Sequence, residues 1–170
     1  QRAGFVMDQV QFLASLSHGE SAVSTNNTLV LERNGSVIQR FNTGAEIPGS
    51  RIQALFADRE GCLWIGTNEG LTRLVDGKLQ RLPVTDPLAS ASILTFLEDQ
   101  EGNMWVGTET NGLDILRDER FRTLATRDGL SSDSTTTVVE DNAGTLWVGT
   151  TGSGVNAIAR SGTAISKVKV

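Results

Sequence analysis

The chain has no tyrosine, one cysteine, one histidine and three prolines among its 170 residues. A lone cysteine, Cys62, excludes an internal disulfide and any metal site built on a cysteine pair. A lone histidine, His18, argues against most metal-dependent, Ser–His and Cys–His chemistries, so the sequence reads as a non-enzyme with no catalytic residue, no metal site and no cofactor. Basic residues are in deficit. With 15 Lys+Arg against 20 Asp+Glu the formal charge is −5, the wrong sign for a nucleic-acid surface. No apolar run approaches the ~20 residues a helix needs to cross a bilayer, and the opening residues do not read as a charged-then-apolar leader. What is present is a 38% hydrophobic content with frequent β-branched residues, which excludes general disorder. The length suits a single domain, taken as residues 1–170.

The strongest feature is an internal repeat. Asp58–Leu74, Asp99–Leu116 and Asp141–Ile158 align, and the three tryptophans, Trp64, Trp105 and Trp147, sit 41 and 42 residues apart. Each opens a Trp-(Ile/Val)-Gly-Thr tetrapeptide. A shift of one period back from the first clear copy finds a decayed fourth. There Val10-Gln11-Phe12-Leu13 falls on Ile52-Gln53-Ala54-Leu55, with Leu16 in place of the aspartate and Ala22 in place of the tryptophan. The joints Gly44–Ser50, Val84–Ser92 and Asp128–Ser134 are rich in Gly, Pro, Ser and Asp and read as linkers.

Within a unit the pattern is that of strands. Ile52–Ala57, Ile93–Glu98 and Thr135–Glu140 are short and β-rich, and each runs into Asp-x-x-Gly. In such a tight turn Asp accepts from backbone amides and Gly supplies a positive φ. The second strands are Leu63–Thr67, Met104–Thr108 and Leu146–Thr150; the third are Leu71–Val75, Leu113–Arg117 and Val155–Arg160. Candidate fourth strands are Leu79–Leu82, Phe121–Leu124 and Ala164–Val168. Four short strands per ~40 residues point to an all-β chain of four-stranded antiparallel propeller blades. The blades are placed at about 10–48, 52–88, 93–126 and 135–170. Gly66, Gly107 and Gly149, two places after each Trp, are expected to clear space for an indole packing on the adjacent sheet.

These residues resemble the two-component regulator propeller repeat, whose pattern is Asp-x-x-Gly-x-Leu-Trp-(Ile/Val)-Gly-Thr followed by Gly-Leu. Asp58, Gly61, Trp64, Gly66, Thr67, Gly70 and Leu71 carry the resemblance in one unit. Asp99, Gly102, Trp105, Gly107, Thr108, Gly112 and Leu113 carry it in the next, and Asp141, Gly144, Trp147, Gly149, Thr150, Gly154 and Val155 in the last. The stretch Asp128-Gly129-Leu130-Ser131-Ser132 looks like the family's blade opening. The resemblance covers residues 52–170 well and 10–51 weakly. It implies a sensory, ligand-binding module in the periplasmic or extracellular part of a bacterial membrane-anchored signal-transduction protein. It also implies a seven-bladed ring, so four blades form a partial propeller. Remaining blades of the same chain, or a second copy, are the expected partners that close it; a protein-interaction or self-associating scaffold is the alternative function.

The repeated Trp and Asp positions read as core anchors and turn caps, not as a sugar platform or a calcium loop. His18 aligns with Glu60, Glu101 and Ala143 at a turn tip and reads as a solvated histidine. Cys62 reads as a partly exposed, unremarkable thiol, and Arg117, Arg120 and Arg122 as solvated edge charges. Ligand contacts are expected where faithful repeats differ. These are the corners between second and third strands (Asn68, Glu69; Glu109, Thr110, Asn111; Thr151, Ser153) and the joint residues Arg51, Ser92 and Ser134. Their hydroxyls, amides and charges suit an oligosaccharide or other hydroxyl-rich small solute.

Overall fold

The computed structural model describes residues 9–117, 120–159 and 165–168. The chain divides into two compact units, Gln1–Ser90 and Ala91–Val170, each built from two four-stranded antiparallel sheets. In the first unit, β1 (Phe12–Ser15), β2 (Glu20–Ser24), β3 (Thr28–Arg33) and β4 (Ser36–Asn42) form one sheet. Then β5 (Ile52–Ala57), β6 (Leu63–Thr67), β7 (Gly70–Val75) and β8 (Lys78–Arg81) form another. In the second unit β9 (Ile93–Glu98), β10 (Met104–Thr108), β11 (Leu113–Arg117) and β12 (Arg120–Leu124) precede β13 (Thr135–Glu140), β14 (Leu146–Thr150), β15 (Gly154–Ile158) and β16 (Ile165–Val168). Within each sheet every strand pairs with its neighbour in sequence, the meander of a propeller blade. The expected strand ends Arg160 and Ala164 lie outside the described residues.

The decayed repeat keeps the register of the others. Phe12 faces Ser24 as Ala54 faces Gly66, and Leu13 faces Val23 as Leu55 faces Ile65. Alternation of side chains across each strand gives every sheet a leading and a trailing face. In the first unit Leu63, Ile65 and Leu74 on the leading face of the second sheet pack with Leu29, Leu31 and Phe41 of the first. Leu16 and Ala22 join that cluster at the positions of the repeat's Asp and Trp, so an aliphatic filling replaces the missing indole. In the second unit Trp105, Leu113 and Ile115 on the trailing face of the third sheet pack with Val138, Val148 and Ile158 of the fourth.

The joints are more than linkers. Ile47, Leu88 and Leu130, one period apart, are each fully buried. Two of these joints carry a 3₁₀ turn beside the buried residue: Pro87–Ala89, where Asp86 accepts from the Leu88 amide at 2.9 Å, and Thr126–Asp128.

Candidate functional site

The turn after each inner strand is built the same way in three repeats. Asp58 Oδ1 accepts from the amides of Glu60 at 3.1 Å and Cys62 at 2.7 Å, while Oδ2 accepts from Trp64 Nε1–H at 2.7 Å. Asp99 does the same with Glu101, Asn103 and Trp105 at 3.0, 2.8 and 2.8 Å. Asp141 does so with Ala143, Thr145 and Trp147 at 2.9, 2.9 and 2.8 Å. Gly61, Gly102 and Gly144 close these turns at φ of 86°, 85° and 79°. The aspartate is thus a clasp between turn and indole, a link absent from a sequence reading that gave it only amide partners. Burial works to raise Asp99, but hydrogen bonds from Trp105, Asn103 and the nearby amides outweigh it and hold the carboxyl below its ordinary range. Asp141 is lowered chiefly by the Trp147 N–H and then by the Thr145 amide.

At the opposite end of each second strand a threonine clasps the corner. Thr67, Thr108 and Thr150 donate to the carbonyls of Gly70, Gly112 and Gly154 at 3.0, 2.8 and 2.9 Å. Gly112 sits at φ +88°, where a Cβ would stand 2.2 Å from the Leu124 carbonyl oxygen, so no larger residue fits without moving backbone. Gly107 and Gly149, two places after Trp, are hemmed by threonines and not by an indole: a Cβ on Gly107 would lie 2.5 Å from Thr95 Cγ2 and 2.9 Å from Thr135 Oγ1, and one on Gly149 2.6 Å from Thr137 Cγ2.

Each corner is tied to the joint that opens its own sheet. The amides of Asn68, Glu109 and Thr151 donate to the carbonyls of Arg51, Ser92 and Ser134 at 3.2, 3.0 and 3.0 Å. In the first unit the Asn68 carboxamide also accepts from the Ser50 and Arg51 amides at 3.0 Å and donates to Ser50 Oγ at 3.2 Å. Its side chain is thereby occupied in positioning, while Arg51 and Glu69 are exposed. In the second unit Ser134 Oγ pairs with Thr151 Oγ1 at 3.0 Å, and Thr110 donates to Asn111 Oδ1 at 3.1 Å. Glu109 and Ser153 are exposed and Ser92 is half-buried. The nominated residues therefore stand at three tied corners, one in the first unit and two in the second.

A row of buried polar residues escaped the sequence reading. Thr72, Asp114 and Asn156 occupy one register position of the third strands, where the decayed repeat has Val30, and all are buried. Asn156 holds the joint, accepting from the Ser131 amide at 3.1 Å and donating to Ser131 Oγ at 2.8 Å. Asp114 accepts from the Thr123 hydroxyl. The period-42 spacing of three polar residues in otherwise apolar strands was the available clue. Inner-strand irregularities also recur, with register shifts between Ile52 and Ala54, between Ile93 and Thr95, and between Thr135 and Thr137. Such bulges re-aim side chains near sheet ends.

His18 is exposed on its turn at φ 60°, its Nδ1 3.1 Å from Ser17 Oγ. Cys62 is buried, contrary to the partly exposed thiol expected: it lies at 5% exposure with Arg73 Nε 3.5 Å away, and burial pushes the thiol up. The Arg73 guanidinium lies 4.6 Å from the Trp64 ring centroid. Among the described residues no group of three His, Cys, Asp or Glu side chains gathers for a metal ion, and no helix is long and apolar enough to cross a membrane. Of the basic cluster, Arg122 is exposed; the side chains of Arg117 and Arg120 lie outside the description.

Four-stranded meanders clasped by the same Asp, Trp and Thr at one period define an all-β chain of propeller blades. The family model described as Two component regulator propeller matches residues 46–69, 87–110 and 129–152, so the chain carries two-component regulator propeller repeats. Each matched segment starts just before a buried joint residue. No curated protein matches the chain in sequence. Solved structures show the same fold. The extracellular domain of BT3049 from B. thetaiotaomicron, described as a hybrid two component system, matches at TM-score 0.78 and 20% identity over 93% of this chain. That of BT4673 from the same organism matches at 0.79 and 19% over 94%. Virginiamycin B lyase from Staphylococcus aureus matches at 0.71 and 16% over 95%. The chain spans 22% and 25% of the first two chains and 55% of the third.

Proposed function

We propose that this chain is a non-catalytic, ligand-sensing segment of a propeller in a bacterial membrane-anchored signalling protein of the two-component regulator type. Further blades of the same repeat complete the propeller, and the segment lies on the periplasmic or extracellular side. The observation that carries the reading is a division of labour within each repeat. The repeated Asp, Trp and Thr side chains are bound up in internal hydrogen bonds, while the residues that vary between repeats stand at the tied joints and corners. Arg51 and Glu69 in one unit, and Glu109, Thr110, Asn111, Ser134, Thr151 and Ser153 with Ser92 in the other, present mixed donors and acceptors on a braced backbone. That suits a hydroxyl-rich solute, an oligosaccharide above all. The placement of the matched B. thetaiotaomicron domains outside the cell supports the localisation. Signalling is then physical: ligand biases the packing of blades by its differential affinity for two arrangements.

The test is a thermal-shift screen with neutral oligosaccharides and small metabolites. A true ligand at a hundred times its dissociation constant adds about 2.7 kcal/mol, worth roughly 5–10 °C in Tm. Glu109→Ala should diminish that shift without lowering the unliganded Tm. Silence across the panel, with a protein captured tightly instead, would move the reading to an interaction scaffold. The lyase-like fold prompts a control, and turnover lost in His18→Ala would overturn the non-catalytic assignment.

A further inference from the structure

Two Asn-Gly dipeptides occur in the chain, and the fold treats them oppositely. Asn34–Gly35 is the two-residue turn between β3 and β4, with Arg33 paired to Ser36 and φ of 55° and 79° at the turn residues. Two positive values mark a type I′ hairpin, whose twist suits the flanking strands. Both residues are exposed, and a Cβ built on Gly35 would meet nothing within 4 Å. The Gly35 amide donates to Glu32 Oε2 at 2.8 Å.

Asn111–Gly112 has the same chemistry and none of that freedom. The Gly112 amide donates to the Asp133 carbonyl at 2.8 Å, and the Asn111 amide to Thr108 Oγ1 at 2.9 Å. Asn111 Oδ1 accepts from Thr110, and the Leu124 carbonyl crowds Gly112. Here the acceptor on the glycine amide is a carbonyl, a far weaker base than a carboxylate.

We propose that Asn34–Gly35 is a self-modification site at which Glu32 acts as the base and Asn34 is converted to a carboxylic acid. The Gly35 nitrogen attacks Asn34 Cγ as Glu32 takes its proton. The new N–C bond closes a five-membered imide, and the bond from Cγ to Nδ2 breaks. Glu32 passes the proton to the leaving nitrogen, which departs as ammonia. Water then opens the ring at either carbonyl, leaving aspartate or isoaspartate at position 34. No oxidant or reductant is needed: amide and water become acid and ammonia. Glycine permits the attack because no side chain shields its nitrogen.

The two products differ in what they do to the fold. Asp76–Gly77 occupies the same turn of the next repeat, at φ of 50° and 73°, so aspartate at position 34 keeps the hairpin. Isoaspartate adds a methylene to the main chain of a two-residue turn and loosens the β3–β4 pairing from Arg33 and Ser36 outward. The reaction involves no ligand, so its failure leaves the sensing proposal untouched, and a negative solute screen leaves this one untouched.

The experiment incubates the purified native protein at neutral pH and maps it by low-pH proteolysis and mass spectrometry. Asn34 should gain the mass of amide-to-acid exchange, with isoaspartate detected by isoaspartyl-specific methylation, while Asn111 stays intact. In denaturant the two sites should react alike, because the fold is what separates them. Glu32→Gln keeps a hydrogen-bond acceptor but loses the base; with wild-type circular dichroism, it should slow conversion by about tenfold, short of the ~10²–10⁴ of enclosed catalytic bases because Glu32 meets water. An Asn34 that stays intact, native Asn34 and Asn111 reacting at one rate, or a Glu32→Gln protein converting at the wild-type rate would each overturn the proposal.

Discussion

The third and fourth sheets are nearly the same sequence pattern in two environments. Both carry Asp-x-x-Gly, Trp-Val-Gly-Thr and a glycine-containing corner, and both make the aspartate–indole bond at 2.8 Å. In one the Trp lies in a core cluster; in the other it is over a third exposed. The local motif therefore forms its clasp without a covering neighbour. What the neighbour adds is burial, the part that scales with apolar area.

Substituting the paired positions separates these contributions. Trp105→Ala should cost about 3–5 kcal/mol, the range for emptying a large aromatic site in a core, read as a fall in denaturant midpoint. Trp147→Ala should cost distinctly less, since its indole already meets water. Equal losses would mean that the clasp, not the burial, carries the stability.

A second contrast uses the post-Trp glycines. Gly107→Ala would drive a methyl against Thr95 and Thr135 from two sides, at a cost of roughly 1–3 kcal/mol. On Gly149 the one close atom is Thr137 Cγ2 at 2.6 Å, on an exposed residue pressed from one side only, so Gly149→Ala should be milder in the same melt.

The smallest effect is on pH. The Asp99 carboxyl titrates below its ordinary value in the folded state, so its contribution is complete above that value. It is lost as pH falls through the folded pKa, in the region under about pH 4. Asp141 shifts in the same direction. Asp99→Asn should lower stability at neutral pH and flatten the acid limb of Tm against pH. An unchanged acid limb would assign acid sensitivity to other carboxylates.

Much of the fold could be read from the chain because it is repetitive. One period fixed strand number, order and turns, and β10, β13 and β14 begin and end where alternation and glycine placed them. The candidate site was legible only as a difference between repeats, which nominates residues without saying which are free. Asn68 was nominated as a contact, and its carboxamide is taken up bracing Ser50 and Arg51. Ile47, Leu88 and Leu130 were hidden because a single apolar residue in a polar joint has no periodicity to betray it. Thr72, Asp114 and Asn156 were hidden because burial of a polar group depends on partners far off in sequence, as Ser131 is from Asn156.

The sequence by itself determined the blade: alternation set the faces, glycine allowed the turns, and the Asp-to-Trp spacing of six made the clasp. These are short-range steric and hydrogen-bonding constraints, satisfied within one repeat. Only the tertiary structure decided which face of each blade is covered. Trp105 is dry because the fourth sheet packs alongside it, and no pattern within the third sheet encodes which neighbour will cover it.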